Sequence, residues 1–218
     1  MEELRKNSKS LAILNLFVTL VLFVITAVFF NGKHPLLNGD NMKAFTAWMC
    51  VMYAFLLPVL YFFWFRFLRN LKDAYPDNKN VGNTAKLGII AIILYSIAAV
   101  VGITATFFDT FIITPDSFGF DMNQHGIFPK NVVGTHSNDI VTGAGFLIAV
   151  MYYFLSRLTE PGSTMRKLTV ILIFRIPVIY IMTVFTTSIY LFVVDAIFWI
   201  AEFLFLMQIH KGFVFSED

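Results

Sequence analysis

Residues 168–209 read LTVILIFRIPVIYIMTVFTTSIYLFVVDAIFWIAEFLFLMQI. Two apolar runs, 168–187 and 189–209, meet at Thr186-Thr187-Ser188. Each run has about the 20 predominantly apolar residues that a helix needs to cross hydrocarbon. Backbone N–H and C=O groups find no water there, so such a run crosses as a helix. The short polar step between the runs predicts an antiparallel hairpin. Pro177 interrupts the backbone hydrogen bonding of the first run, and Pro58 does the same in an earlier one, so both helices are expected to kink.

The same reading extends over the chain. Apolar stretches lie near 11–30, 44–65, 86–108 and 138–156, and with the hairpin they predict six spans. An apolar fraction of 58% and a mean hydropathy of +0.74 exclude an ordinary soluble domain. The expectation is one all-α, integral membrane domain, a six-transmembrane-helix bundle over 1–218. Leu11–Phe30 is longer than a signal-peptide core, and no clear small-x-small cleavage pattern follows it, so it is read as a retained helix.

Basic residues set the orientation. Arg5, Lys6 and Lys9 precede the first span, and Arg66, Arg69, Lys72, Lys79 and Lys86 flank the second connection. Arg157, Arg166 and Lys167 surround the fourth connection, and Lys211 follows the last span. Lys33, Lys43 and Lys130 alone fall on the opposite side. The positive-inside rule then places both termini in the cytoplasm, with the plasma membrane as the expected location. The net charge of +2 comes with no basic stripe carrying interleaved aromatics, so no nucleic-acid partner is expected. Cys50 is the only cysteine, so no intrachain disulfide forms, and it is read as a packing residue.

The outer segment 109–137, DTFIITPDSFGFDMNQHGIFPKNVVGTHS, is too apolar for a solvated linker. It reads either as a lid over the outer end of the bundle or as aromatics packed at the interface. There is no internal repeat, Gly-rich phosphate loop, metal-spaced Cys/His cluster or G-x-S-x-G elbow. No metal and no cofactor are expected. His34, His125 and His210 lie at interfaces, so paired axial haem ligands in mid-membrane are not available.

Only Asp139, Asp195, Arg175 and Glu202 are ionisable and clearly inside the apolar stretches. A charge at the bilayer centre costs roughly 2.5–3.5 kcal/mol on insertion scales, so each must pair, line a wet cavity or do chemistry. The helix rise of about 1.5 Å per residue gives their depths. Thr46, His136, Asp139 and Asp195 are expected in an outer layer, and Arg175 and Glu202 in an inner one, where an ion pair keeps both charged; the sequence leaves open whether Arg175 pairs with Glu202 or with Asp195. In the outer layer a hydroxyl, an imidazole and a carboxylate come to one depth. A hydroxyl needs a base to act as a nucleophile, histidine has the right range at neutral pH, and a carboxylate orients it. Against this stand the ordinary roles of a threonine cap and a hydrated interfacial histidine.

The layout resembles the androgen-induced and androgen-dependent TFPI-regulating family of six-helix membrane proteins and its bacterial relatives. The resemblance rests on the order of three features. These are Lys43-Ala44-Phe45-Thr46 opening the second span, a longer loop before His136, and Phe198-Trp199-Ile200-Ala201-Glu202 in the last span. It implies an intramembrane threonine hydrolase of fatty-acyl esters, with Thr46 as nucleophile, His136 as base and an acidic position at Glu202. Asp195 and Arg175 have no clear counterpart in that pattern.

Three functions therefore compete. The first is a hydrolase of lipid esters, with Asp139 or Asp195 orienting His136 and membrane lipids as its surroundings. The second is a small-molecule-binding subunit of a transporter, working with a partner subunit. The third is a proton or ion pathway through Asp195 and Glu202.

Overall fold

Helix starts and stops follow local chemistry. The computed structural model describes residues 1–29, 52–107, 130–185 and 188–215. Helix α1 runs Glu2–Phe29, with Glu2 and Glu3 in its first turn, where the helix dipole favours negative charge. A π-helical turn, Met52–Leu56, leads into α2, Leu57–Ala74. Pro58 follows directly on the π-helical turn, and with no N–H it cannot continue the ladder of bonds from that turn into α2. The helix stops before Pro76 because the residue preceding a proline is pushed out of helical geometry.

Helix α3, Lys79–Phe107, is capped by Asn78. The Asn78 Oδ1 accepts from the backbone N–H of Asn80 at 3.0 Å and of Val81 at 3.1 Å. Helix α4 spans Lys130–Arg157. Helix α5, Thr164–Ile173, begins at Ser163, whose hydroxyl accepts from the Arg166 N–H at 3.2 Å. After a break at Phe174, α6 runs Arg175–Phe185, and α7 runs Ser188–His210. No strand occurs among the described residues.

Four helical stretches are long and apolar enough to cross a membrane: Ala54–Ala74, Lys79–Val101, Ile140–Arg157 and Val193–His210. Their outward faces are apolar too, as Phe62, Ile93, Phe146 and Ile197 show, each more than half exposed. A water-soluble helix would put polar residues there. Polar side chains instead gather inside and at one end.

That end is built by several helices. Arg66 of α2 meets Glu3 of α1 at 3.2 Å, and His210 of α7 lies 3.2 Å from the Arg5 carbonyl through its Nδ1. Gly212 ends α7 with a φ of 101°, a left-handed cap that glycine adopts without steric cost. A Cβ there would come 3.0 Å from the Arg5 guanidinium. The Phe215 N–H then donates to the buried Tyr75 hydroxyl at 3.1 Å, and the two rings meet edge to face. Leu4, Leu11, Phe67, Leu71, Leu155, Phe205 and Ile209 form the core beneath.

Several helices outrun their expected limits. α2 continues to Ala74 because 66–74 is itself amphipathic: Phe67, Leu68 and Leu71 turn inward while Arg66 and Arg69 stay exposed. α4 begins at Lys130, so His136 and Asp139 lie inside it rather than at its start. The stretch after Pro129 holds no further breaker until the helix is established. The expected single span 168–187 is two helices of 10 and 11 residues. Pro177 has no N–H to give the Ile173 carbonyl, and Phe174 turns back to donate to Ile171 O instead.

Close packing of α4 on α6 depends on Gly145. A Cβ there would fall 2.5 Å from Ile176 Cδ1 and 2.7 Å from its Cγ1. Small residues let membrane helices approach this closely. Gly145→Ala is therefore expected to destabilise the fold by about 1–3 kcal/mol through overpacking. Thermal unfolding of the purified protein in micelles checks this, with Gly143→Ala as the comparison, because a Cβ at 143 meets nothing within 4 Å.

Candidate functional site

The break at Phe174 makes Arg175 the first residue of α6 and turns its side chain toward α7. A cation at a helix N-terminus opposes the macrodipole, so it needs carboxylates close by. Asp195 supplies the nearest. Arg175 Nε donates to Asp195 Oδ1 at 2.9 Å and Nη2 donates to Oδ2 at 3.2 Å, a two-pronged pair. Trp199, one turn on from Asp195, donates its Nε1–H to Oδ2 at 2.9 Å. The guanidinium carbon also lies 4.5 Å from the Trp199 ring centroid, a cation–π contact.

Glu202 stands two turns further along α7 and is nearly fully buried. Its Oε1 accepts from the Tyr152 hydroxyl at 2.7 Å, and its Oε2 accepts from Asn15 Nδ2 at 2.8 Å. Arg175 Nη1 reaches Glu202 Oε2 at 3.7 Å. One guanidinium thus faces two carboxylates, and the cluster carries one surplus negative charge when both are ionised. Asn15 is 1% exposed, and its Oδ1 has no donor among the described residues.

These groups form one wall of a cavity of about 290 Å³. The rest is apolar or aromatic, with Leu60, Tyr61, Trp64, Tyr95, Met151 and Ile179 among its lining. An apolar hollow with a few convergent polar groups is the usual form of a small-molecule site. Glu202 depends on its two neutral donors. Tyr152→Phe is expected to cost about 1.5–3 kcal/mol, the usual worth of a hydrogen bond to a charged group. Chemical unfolding of the micellar protein reads this, with exposed Tyr153→Phe staying within about 0.5 kcal/mol of wild type.

The two-layer expectation needs correction. Asp195 meets Arg175, which also reaches Glu202, so these three share one cluster instead of dividing between two layers. The Arg175–Glu202 pair exists only as the longer arm of a contact centred on Asp195. His136 and Asp139 lie on the α4 backbone three residues apart. Their side chains, and Thr46 altogether, are outside the described residues. Asn15, Tyr152 and Trp199 were missed. A lone amide in the apolar run LAILNLFVTL was the available signal for Asn15, since any polar group in hydrocarbon must find a partner. Among the described residues no group of three His, Cys, Asp or Glu side chains is placed to hold a metal ion.

Fold and site together define a class: an apolar helical bundle with a largely apolar internal cavity walled on one side by an ionic network. No protein-family model, curated protein or solved structure matches the chain.

Proposed function

We propose that this chain is a six-span plasma-membrane protein with both termini in the cytoplasm, and that it hydrolyses fatty-acyl esters of lipids within the bilayer. The cavity carries this reading, because it combines walls suited to an acyl chain with polar groups that fix a head. Spans 11–30 and 168–187 complete the count. Twelve of the sixteen Lys and Arg residues fall on the side assigned to the cytoplasm.

In the reaction, Thr46 Oγ1 attacks the ester carbonyl while His136 takes its proton. The imidazolium returns that proton to the departing alkoxide, and water then releases the acid from the threonine ester by the reverse sequence. Asp139 is the residue that orients His136, because the Asp195 carboxylate is already engaged by Arg175 and Trp199. Arg175 and Glu202 serve the cavity wall.

The test is labelling of purified protein by a lipid-tailed fluorophosphonate, which reacts with activated hydroxyls. Stoichiometric labelling, blocked by a long-chain ester, is expected. A folded protein that takes no label sinks the hydrolase assignment.

One observation favours a second reading, a small-molecule-binding subunit of a transporter. The polar groups described on the wall are a guanidinium, two carboxylates, an amide, an indole and phenols, all suited to recognition. Copurification with an ATP-hydrolysing partner, without labelling, is the outcome that selects it.

A further inference from the structure

Arg175 has more N–H groups than its carboxylates use. One on Nε and one on Nη2 go to Asp195. The second on Nη2 and both on Nη1 make no hydrogen bond among the described residues. Nη1 comes to 3.7 Å from Glu202 Oε2, a contact of charges beyond hydrogen-bond range. Among the described residues, the buried side-chain polar atoms left without a partner belong to Asn7, Asn15 and Asn70. Nη1, also without one, is therefore accessible, on a side chain that lines the cavity and is 20% exposed. Trp64 and Tyr95 add an indole N–H and a phenol to the same lining.

The acceptors on this wall are already engaged. Asp195 Oδ1 accepts from Nε, and its Oδ2 accepts from Nη2 and Trp199. Glu202 Oε1 and Oε2 accept from Tyr152 and Asn15. A guest head is therefore met by donors and must bring acceptors. Charge narrows the choice. An ionised carboxylate would be a third anion set against one guanidinium beside apolar walls, with its own desolvation uncompensated. An ammonium offers these donors nothing and would face the guanidinium itself. An uncharged oxygen accepts from the fork at neither cost.

Resting on the reading that this cavity holds the acyl ester, we infer that Arg175 is its specificity-determining residue and that it selects lipids with an uncharged, oxygen-bearing head. One head oxygen accepts from Nη1 and Nη2, and the alkyl chain lies along Leu57, Leu60 and Ile179. Asp195 and Glu202 hold the guanidinium and, by their charge, turn away fatty acid anions. An ester is thus admitted, and the carboxylate that its hydrolysis releases is expelled.

The experiment measures thermal stabilisation of the full chain in maltoside micelles at mildly alkaline pH, with Kd taken from its concentration dependence relative to detergent. The probes are methyl octyl ketone, nonanoate, octylamine and decane, which share an octyl tail. The ketone resists hydrolysis, so binding is read apart from turnover. It is expected to bind at least tenfold more tightly than nonanoate or octylamine, and severalfold more tightly than decane. Asp195→Asn keeps the guanidinium and removes one negative charge, so nonanoate is expected to gain at least tenfold on the ketone. Arg175→Ala combined with Asp195→Asn is expected to bring the ketone down to the affinity of decane. The wild-type series decides alone if a variant fails to fold. Nonanoate, octylamine or decane binding as tightly as the ketone overturns the inference while leaving the cavity as a lipid site. Failure of all four probes to bind overturns the inference and the cavity reading together.

Discussion

Arg175→Ala is expected to destabilise the protein by up to about 3–5 kcal/mol, the range for removing one partner of a buried ion pair, with Arg175 and Asp195 themselves partly buried and Glu202 nearly fully so. The pair itself need not be strongly stabilising. The loss arises because Asp195 and Glu202 would remain beside an apolar cavity with no cation between them. Asp195 keeps only the Trp199 N–H, while Glu202 keeps Tyr152 and Asn15. Lysine does not rescue, since a point ammonium gives neither the two parallel bonds to Asp195 nor the planar stack on Trp199. Removing the stranded charge does. Arg175→Ala combined with Asp195→Asn is expected to recover at least half of the loss. Thermal unfolding of the four proteins forms the double-mutant cycle. A single variant that melts with the wild type would show that the pair does not hold α6 against α7.

Thr46→Ala and His136→Ala are each expected to lower ester hydrolysis by at least 10²-fold, the range typical of general-base loss. On the proposed mechanism the two losses do not add, because a nucleophile and its base act as one unit. Asp139→Asn is expected to lose less, since the role proposed for it is to orient His136 and not to react. Asp195→Asn serves as the contrast. It weakens the Arg175 pair and so lowers stability more than turnover per folded molecule. Turnover on a fluorogenic long-chain ester, normalised to folded protein by gel filtration, separates these cases. Full activity in both Thr46→Ala and His136→Ala would remove the nucleophile and base assignments.

Much of the architecture was legible in the chain itself. The apolar runs announced helices because hydrocarbon leaves the backbone no other way to satisfy its hydrogen bonds. The 189–209 run appears as α7, Ser188–His210, within one residue at each end. Polar flanks were harder to read. Residues 66–74 and 79–85 look like a loop by composition, yet they are helical, because their few apolar residues recur at the spacing that meets the core. Pro177 marked a disturbance, but its extent was not readable. A proline in a helix can bend it slightly or divide it, and packing decides which.

By itself, the sequence determined the class of solvent this protein faces, the helical state of its spans and the short roster of charges that must be neutralised within them. Those follow from composition and local periodicity, which need no knowledge of neighbours. Only the tertiary structure decided who neutralises whom. The break at Phe174 carries Arg175 to Asp195, and α1 and α4 bring Asn15 and Tyr152 to Glu202. Such pairings join residues 20, 187 and 50 positions apart, and a separation of that kind has no local signature. It is set by how the helices pack, and the cavity exists only once they have done so.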